Sequence, residues 1–305
     1  MGYLILALSY ILYGASDAAG PLAYRLGSDA NTLSLCNCLM PLPFVAGTLL
    51  LTRGRFRIGR RAFFMALLLG VFVGATALTL NMSYLMISVG VGTTLHMAHT
   101  LVASLGEAAI ERRRPRLGTF FALILVVGGV ACLSGCDLGG ASSKLGIGIA
   151  LFSGLTFGCV TLLAGHGELT KLTSLQTQFY SLLSASFVLI IFNLLTRPTL
   201  IPDIPARAWG IHVFCAVTTN YVALALALWG IRRAGSTAGS IMGAVEPISC
   251  AAFGALWLDE RLTSPILIGA LLILVGVVVE PATRLRDERG ARLAAAAADE
   301  TTIED

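Results

Sequence analysis

Charged residues are scarce in this sequence. Asp, Glu, Lys and Arg make up 12% of its 305 residues, 56% are hydrophobic, and the mean hydropathy is +0.83. A soluble domain carries about twice that share of charge, so a soluble enzyme or a nucleic-acid-binding protein is not expected, and no nucleic acid is predicted as a partner. The composition predicts a polytopic membrane protein whose 33 glycines allow close helix packing within a lipid bilayer.

Signatures of cofactors and metals are also missing from the sequence. No GxxxxGK[ST] motif occurs, so direct coupling to ATP is not expected and no cofactor is predicted. The seven cysteines show no metal-type spacing and fall almost entirely within apolar runs, where cysteine behaves as a small buried residue. No catalytic residue and no metal site are therefore predicted.

Long apolar runs dominate what is present. A membrane-spanning helix needs about 20 predominantly apolar residues, and the first run is expected to be such a span rather than a signal peptide, because it has no basic leader and contains Asp17. We predict an all-α protein with ten transmembrane helices, over approximately 3–24, 32–52, 62–81, 90–110, 117–135, 145–165, 174–195, 208–231, 234–258 and 265–281.

Short sequence pairs recur at a nearly constant offset. Tyr13-Gly14 is matched by Phe157-Gly158, 144 residues later, and Ala122-Leu123 is matched by Ala270-Leu271, 148 residues later. We interpret the chain as two copies of a five-helix unit. Because five is odd, the copies must be inverted relative to each other, and inverted repeats place a binding site near the membrane midplane.

The repeat and the basic residues together predict the domain organisation and the orientation. We assign residues 1–140 to the first repeat, 141–283 to the second and 284–305 to a small, acidic tail that is expected to be disordered. With the N-terminus inside, 16 of the 21 Lys and Arg residues face the cytoplasm. Because basic residues in short loops stay on that side, both termini are predicted to be cytoplasmic.

Two segments carry a family pattern. They are IRRAGSTAGSIMGAVEPISC with the downstream LDERLTSPILIGALLILVG in the second half, and SYLMISVGVGTTLH in the first. Through them the chain, over about residues 3–281, resembles the EamA-like ten-helix proteins of the drug/metabolite transporter superfamily. The resemblance implies a secondary transporter that works by alternating access and exports a small organic metabolite, such as an amino acid or a related compound, across the bacterial inner membrane.

The first-half segment departs from the family pattern. Relatives continue after Leu-His with an aromatic residue, a spacer and Tyr-Pro, whereas this chain continues with Met97, Ala98, His99 and Thr100. Because the proline is missing, span four is expected to kink less than in the family. The histidine also changes the chemistry at the tyrosine position.

Ionisable residues within the apolar runs are the candidate functional residues. A charge or a helix break at membrane depth is costly, so Glu246 and Pro247 in the ninth span require a compensating interior, for which a water-filled pathway is usual. Pro247 is interpreted as a structural hinge. The predicted pathway for substrate or protons consists of Asp17, Asn81, Tyr84, His96, His99, Glu107, Trp229 and Glu246.

Spacing relates several of these residues. His96, His99 and Glu107 share one face of a helix, which fits a metal site, a purely structural role or the handling of substrate and protons. An intramembrane enzyme that uses the two histidines and a carboxylate is therefore the alternative to a transporter. Spacing fixes no third metal ligand, and no nucleophile motif accompanies the histidines.

Depth estimates bring Asp17 and His96 together. At 1.5 Å per residue, Asp17 lies about 21 Å beyond Tyr3, and His96 lies about 8 Å from the outer end of span four. We therefore predict that the two face one cavity and interact directly or through water. The expected partners are a small-molecule substrate and the lipid bilayer. The sequence leaves open whether protons are a further partner and whether the protein is a monomer or a homodimer.

Overall fold

The computed structural model describes residues 1–112, 114, 117–135, 141–197, 202–234, 239, 241–279 and 282–283. All regular secondary structure in this part of the chain is helical. A 3-10 helix, Gly167–Lys171, precedes α9, and a π-helix, Thr218–Ala223, joins α10 to α11. The α-helices are α1 Gly2–Arg25, α2 Ala30–Leu39, α3 Leu42–Leu51, α4 Arg60–Ser83, α5 Val89–His96, α6 His99–Ile110, α7 Leu117–Gly135, α8 Ala141–Ala164, α9 Ser174–Thr196, α10 Ala206–Val217, α11 Leu224–Ala234, α12 Val245–Leu258 and α13 Ser264–Val279.

Among the residues that the structure describes, six helical segments are long and apolar enough to cross a membrane. They coincide with predicted spans one, two, three, six, seven and eight, and three shorter apolar helices coincide with spans five, nine and ten. The protein is therefore a multi-pass membrane protein, and the total of ten spans stays a prediction. The six segments are Gly2–Arg25, Ala30–Leu51, Arg60–Ser83, Lys144–Ala164, Ser174–Thr196 and Ala206–Ile231.

Apolar side chains cover the outside of the helix bundle. Leu195 is 81% exposed and Phe187 is 64% exposed, although both belong to the apolar helix α9. In water such a surface would be an aggregation hazard, whereas lipid tails solvate it. The interior contains small residues, among them Ala18 and Ala185, both fully buried, as expected where helices approach closely in a membrane.

Two long helices organise the packing. The first, α1, packs against α12 and against the α10–α11 segment, while α8 packs against α6, α5 and α4. Further contacts join α4 to α9 and to α2. The packing of the two helices is therefore alike. α1 lies between the α10–α11 segment and α12, and α8 lies between α4 and α6; α12 and α6 are short helices that each follow a helix interruption.

Helix interruptions, which we call breaks, lie within the predicted spans. Span two divides at Met40 and Pro41, where α3 begins because a proline is tolerated at a helix start but not in its interior. Span four divides at Met97 and Ala98, between α5 and α6. The expectation that span four kinks less is therefore wrong, since the break forms without a proline.

The break in span nine also differs from its prediction. A turn at Gly243 and Ala244 precedes α12, which begins at Val245 and carries Glu246 and Pro247 in its first turn. The first four N–H groups of a helix have no intrahelical partner, so Pro247 is accommodated there without losing a hydrogen bond. The hinge thus lies before Pro247, and the helix predicted over 234–258 is not continuous.

Some predicted features lie outside the described residues. These are the boundary between the repeats at residues 136–140 and the tail at 284–305, which includes the basic residues after the last span.

Gly14 gives a direct test of the packing between α1 and α12. A Cβ atom at this position would lie 2.7 Å from the backbone nitrogen of Cys250 and from the carbonyl oxygen of Glu246. Because backbone atoms cannot move aside cheaply, we expect Gly14→Ala to destabilise the protein by about 1–3 kcal/mol. Thermal unfolding in detergent measures the loss.

Gly128 provides the matched control on α7, because a Cβ atom there meets nothing within 4 Å. Gly128→Ala should be neutral or slightly stabilising, since alanine favours a helix over glycine by about 1 kcal/mol. Equal unfolding temperatures for the two variants would contradict the close packing of α1 on α12.

Candidate functional site

A cluster of acidic and tyrosine side chains lies within the bundle, where α1, the end of α4, α5 and α12 meet. We define it by Tyr10, Tyr13, Asp17, Tyr84 and Glu246. The hydroxyl of Tyr84, a residue only 7% exposed, donates to Oδ2 of Asp17 at 3.4 Å. Asp17 and Glu246 lie close enough to interact electrostatically. The Tyr84 hydroxyl thus gives Asp17 a polar partner at a depth where an isolated charge is costly.

Glu246 is positioned by the start of α12. It lies in the first turn of that helix, where the partial positive charge of the helix N-terminus stabilises a carboxylate. Its charge acts on Tyr10 and Tyr13, whose rings are 6.1 Å apart on α1. The hydroxyl of Tyr10 in turn donates to the carbonyl of Gly239, just before the break in span nine.

Two carboxylates in one half-buried cluster have a definite chemical consequence. When both are ionised they repel, and the low dielectric of a membrane interior strengthens that repulsion. A bound proton or a cationic group relieves it. Asp17 and Glu246 together can therefore hold a proton or a protonated amine, and exchange one for the other.

Thr93 and Cys250 complete the cluster, and the sequence did not identify them. The Thr93 hydroxyl lies 2.8 Å from the carbonyl of Val89, 3.1 Å from the Tyr84 hydroxyl and 3.2 Å from the Cys250 sulfur. Helical spacing could have indicated Cys250, because residues i and i+4 share a helix face and Glu246 is four residues earlier. Thr93 carried no such signal.

His96, which is buried, and His99, which is half-buried, form a second group beside the break in span four. Nδ1 of His96 lies 2.9 Å from the Ser153 hydroxyl, which itself donates to the carbonyl of Ala150 at 2.6 Å. Because the Ser153 hydroxyl hydrogen is donated to Ala150, the hydroxyl oxygen can only accept from His96. Nδ1 of His96 therefore carries the hydrogen, and Nε2 is the acceptor in the neutral ring. The rings of His96 and His99 lie 5.2 and 4.8 Å from that of Phe157 on α8.

His99 stabilises the break itself. Its Nδ1 donates to the carbonyl of His96 at 3.0 Å, a group that the interruption leaves without its usual helical partner. A Cβ atom at Gly154 would lie 2.9 Å from the same carbonyl, so α8 approaches the break closely because glycine stands there. A histidine and a glycine thus contact the freed carbonyl at a break that forms without a proline.

Asp17 and His96 do not form the predicted direct interaction. Both residues lie in the described part of the chain, where the hydrogen-bond partner of Asp17 is Tyr84 and that of His96 is Ser153. Similar depth estimates could not indicate this, because depth along the membrane does not specify which side of a helix a residue occupies. Glu246 instead lies on α12, the helix against which α1 packs.

The positions of Gly14 and Gly158 relate the two groups. Gly14 lies against Glu246 and Ser249, and Gly158 lies against His99 and Val102. Each contacted pair is separated by the same interval, and Glu246 follows His99 by 147 residues, close to the offset of the sequence repeat. His99 and Val102 thus lie against Gly158 in the way that Glu246 and Ser249 lie against Gly14.

The remaining predicted residues are not brought into the acidic cluster. Asn81 is buried and donates to Ser34 at 2.9 Å, so it joins α4 to α2. Trp229 is 45% exposed, and the guanidinium of Arg233 lies 4.5 Å above its ring. Glu107 is half-buried near the end of α6.

Within the described part of the chain, the histidines do not assemble a metal site with other ligands. Among the residues that the structure describes, no group of three or more His, Cys, Asp or Glu side chains could hold a metal ion. The described cysteines are free thiols.

Comparison with known proteins identifies what this arrangement is similar to. Residues 144–279 match the EamA-like transporter family. Over 274 residues, 86% of each protein, the chain is 22% identical to the uncharacterized transporter YcbK of Bacillus subtilis (strain 168). A crystal structure with 14% sequence identity covers 93% of this chain and 97% of its own with a TM-score of 0.64, which shows a shared fold.

Proposed function

We propose, from the premise that this chain belongs to the drug/metabolite transporter superfamily, that it is a secondary transporter of a small organic metabolite. The family and the transporter-named relative point to a transporter rather than to an enzyme. The substrate is an amino acid or a related amine-bearing compound, exported across the inner membrane by alternating access with proton coupling. The observation that carries this proposal is the cluster inside the bundle in which Asp17, bound by Tyr84, lies on α1, and Glu246 lies in the first turn of α12, the helix that packs against α1.

The two carboxylates supply a mechanism of exchange. A substrate ammonium group and a proton compete for the same negative charge, so binding of one releases the other. Tyr84 orients Asp17, and the start of α12 orients Glu246. Coupling then requires no further machinery beyond a change in which side of the membrane the cluster faces.

The helix breaks support alternating access. The interruption at Met97 and Ala98 is matched by the one at Gly243 and Ala244, 146 residues later. The packing is matched in the same way, because α1 lies against α12 and α10–α11 as α8 lies against α6 and α4. Two inverted five-helix repeats, with a site between them, account for both observations.

The orientation is proposed from the basic residues. Both termini lie in the cytoplasm, because 16 of the 21 Lys and Arg residues then face that side. Asp17, Tyr84 and Glu246 form the pathway, and the histidines position the break that they flank.

Solute flux in proteoliposomes tests the proposal. Purified protein should release loaded amino acids or other small amines when a proton gradient is imposed, and vesicles without protein should not. Release of solute that is indifferent to the gradient would contradict proton coupling. No flux for any amine, amino acid or related metabolite would contradict the proposed function.

A further inference from the structure

Side chains tie three helix ends together at one end of the bundle, which we call the latch end. Here α1 and α12 end and α5 begins. Arg25, the last residue of α1, donates to the backbone carbonyls of Trp257 and Leu258 at the end of α12. A cation is favourable there because the last carbonyls of a helix carry partial negative charge.

Glu260 makes the second tie, from α12 to α5. Asp259 ends α12 in the left-handed conformation, with a φ angle of 58°, which turns the chain back toward α5. Oε1 of Glu260 then accepts a hydrogen bond of 2.8 Å from the N–H of Val89, the first residue of α5. This N–H has no partner within its own helix, so the carboxylate satisfies it.

The Glu260 carboxylate is enclosed between the two helices. A Cβ atom at Gly254 of α12 would lie 2.5 Å from Oε2, so only glycine leaves room for the carboxylate at this position. Oε2 is itself buried and makes no hydrogen bond. Because burying an oxygen without a hydrogen bond is costly, the carboxylate gains free energy by becoming hydrated once α5 and α12 separate.

The first turn of α5 connects this contact to the acidic cluster. Val89 donates to Glu260, and its carbonyl accepts from Thr93, whose hydroxyl lies 3.1 Å from that of Tyr84. Tyr84 in turn donates to Asp17. The start of α5 therefore lies between Glu260 and Asp17, and it cannot move away from α12 without breaking the bond to Glu260.

We propose that Glu260 and Arg25 form a latch that closes the bundle over the acidic cluster and must open for that cluster to face the latch end. The role as a gate rests on the proposed function. The closure itself is a property of the fold and is measurable without flux. Asp259 adds little, because its ion pair with Arg25, at 3.8 Å, is largely exposed to solvent.

The latch should respond to pH. Three titratable groups lie near Glu260: Arg25 on α1, Asp259 in the same turn and Cys250 on α12. On α5 the titratable group is His96, at the far end of that helix. Burial raises the pKa of Glu260, against the opposing effects of the Val89 and Gly90 N–H groups and of Arg25. The closed state thus binds the proton more tightly than an open, hydrated one, so acid favours closure and rising pH favours opening.

Site-resolved thiol labelling tests the latch. Cys250 is fully buried beneath the start of α5, and Cys38, 2% exposed, lies away from it on α2. In the full-length protein, a small neutral maleimide followed by mass spectrometry gives the ratio of labelling at the two cysteines. Glu260→Ala should raise this ratio by about tenfold, the factor expected when one hydrogen bond to a charged group is lost, and Arg25→Ala should also raise it.

Two further variants separate a latch from general loosening. Glu260→Gln keeps an acceptor oxygen and, like the protonated carboxyl group, has no charge. At every pH its labelling ratio should therefore equal the ratio that the wild type shows in acid. Arg197→Gln removes an ion pair to Asp29 at the same end of the bundle, between α9 and α2, and should leave the ratio unchanged. An unchanged ratio in Glu260→Ala, or an equal rise at both cysteines, would overturn the latch, whatever the outcome of the flux assay.

Discussion

Glu246→Gln should remove the pH dependence of solute flux while the protein remains folded. The amide preserves the shape of the side chain and one acceptor at the start of α12, but it cannot release or bind a proton at this site. A hydrogen bond to a charged group contributes roughly 1.5–3 kcal/mol, so loss of the carboxylate should lower flux of a cationic substrate by about ten- to a hundredfold.

The measurement compares flux across a range of pH in proteoliposomes that contain equal amounts of folded protein. Glu168→Gln is the matched control, because Glu168 lies on a surface turn and pairs with Lys171 at 2.7 Å, outside the bundle. It should behave as wild type. A Glu246→Gln variant that retains both the rate and the pH profile would show that Glu246 serves only the structure of the break.

Asp17→Asn should reduce flux as severely as Glu246→Gln, and the two effects should not add. Because the two carboxylates interact electrostatically, either single change removes the repulsion that a proton or a substrate amine relieves. Once one carboxylate is neutral, loss of the other removes less. In a double-mutant cycle the interaction energy should therefore differ from zero by about 0.5–3 kcal/mol, the range for residues in one network.

The control double-mutant cycle combines Asp17→Asn with His96→Gln. In this structure the partner of His96 is Ser153 on α8, whereas Asp17 binds Tyr84. The two effects should therefore add to within about 0.5 kcal/mol, as for independent sites. Strong coupling between Asp17 and His96, with additivity between Asp17 and Glu246, would favour the pairing suggested by the depth estimates over the one seen in the structure.

A separate comparison isolates the role of Tyr84. Tyr84→Phe removes the hydroxyl that orients Asp17 and keeps the ring that fills the space at the end of α4. We expect this positioning change to weaken substrate binding more than it alters the pH profile, because both carboxylates remain. The contrast with Asp17→Asn then separates orientation of the site from its charge.

Composition and hydrophobic periodicity were sufficient for the fold class. An apolar run of about 20 residues is stable in lipid only as a helix, since its backbone hydrogen bonds must be satisfied within the segment. The all-helical, multi-pass architecture followed from this. The resemblance to the EamA-like proteins rested instead on the residues around Glu246 and on the segment that ends at His96. The cost of burying charge in lipid likewise marked Asp17 and Glu246 without any structure.

The partners of those charges, and the places where helices break, were decided by tertiary packing. Without a proline, nothing local in the sequence indicated the break at Met97 and Ala98, which depends on the His99 ring and on the approach of Gly154 from a helix far along the chain. In the same way, Asp17 faces Glu246 rather than His96 because α1 packs against α12. The approach of Gly154 to His96 and the packing of α1 on α12 join residues more than 50 positions apart, and local sequence patterns contain no information about which helix faces which.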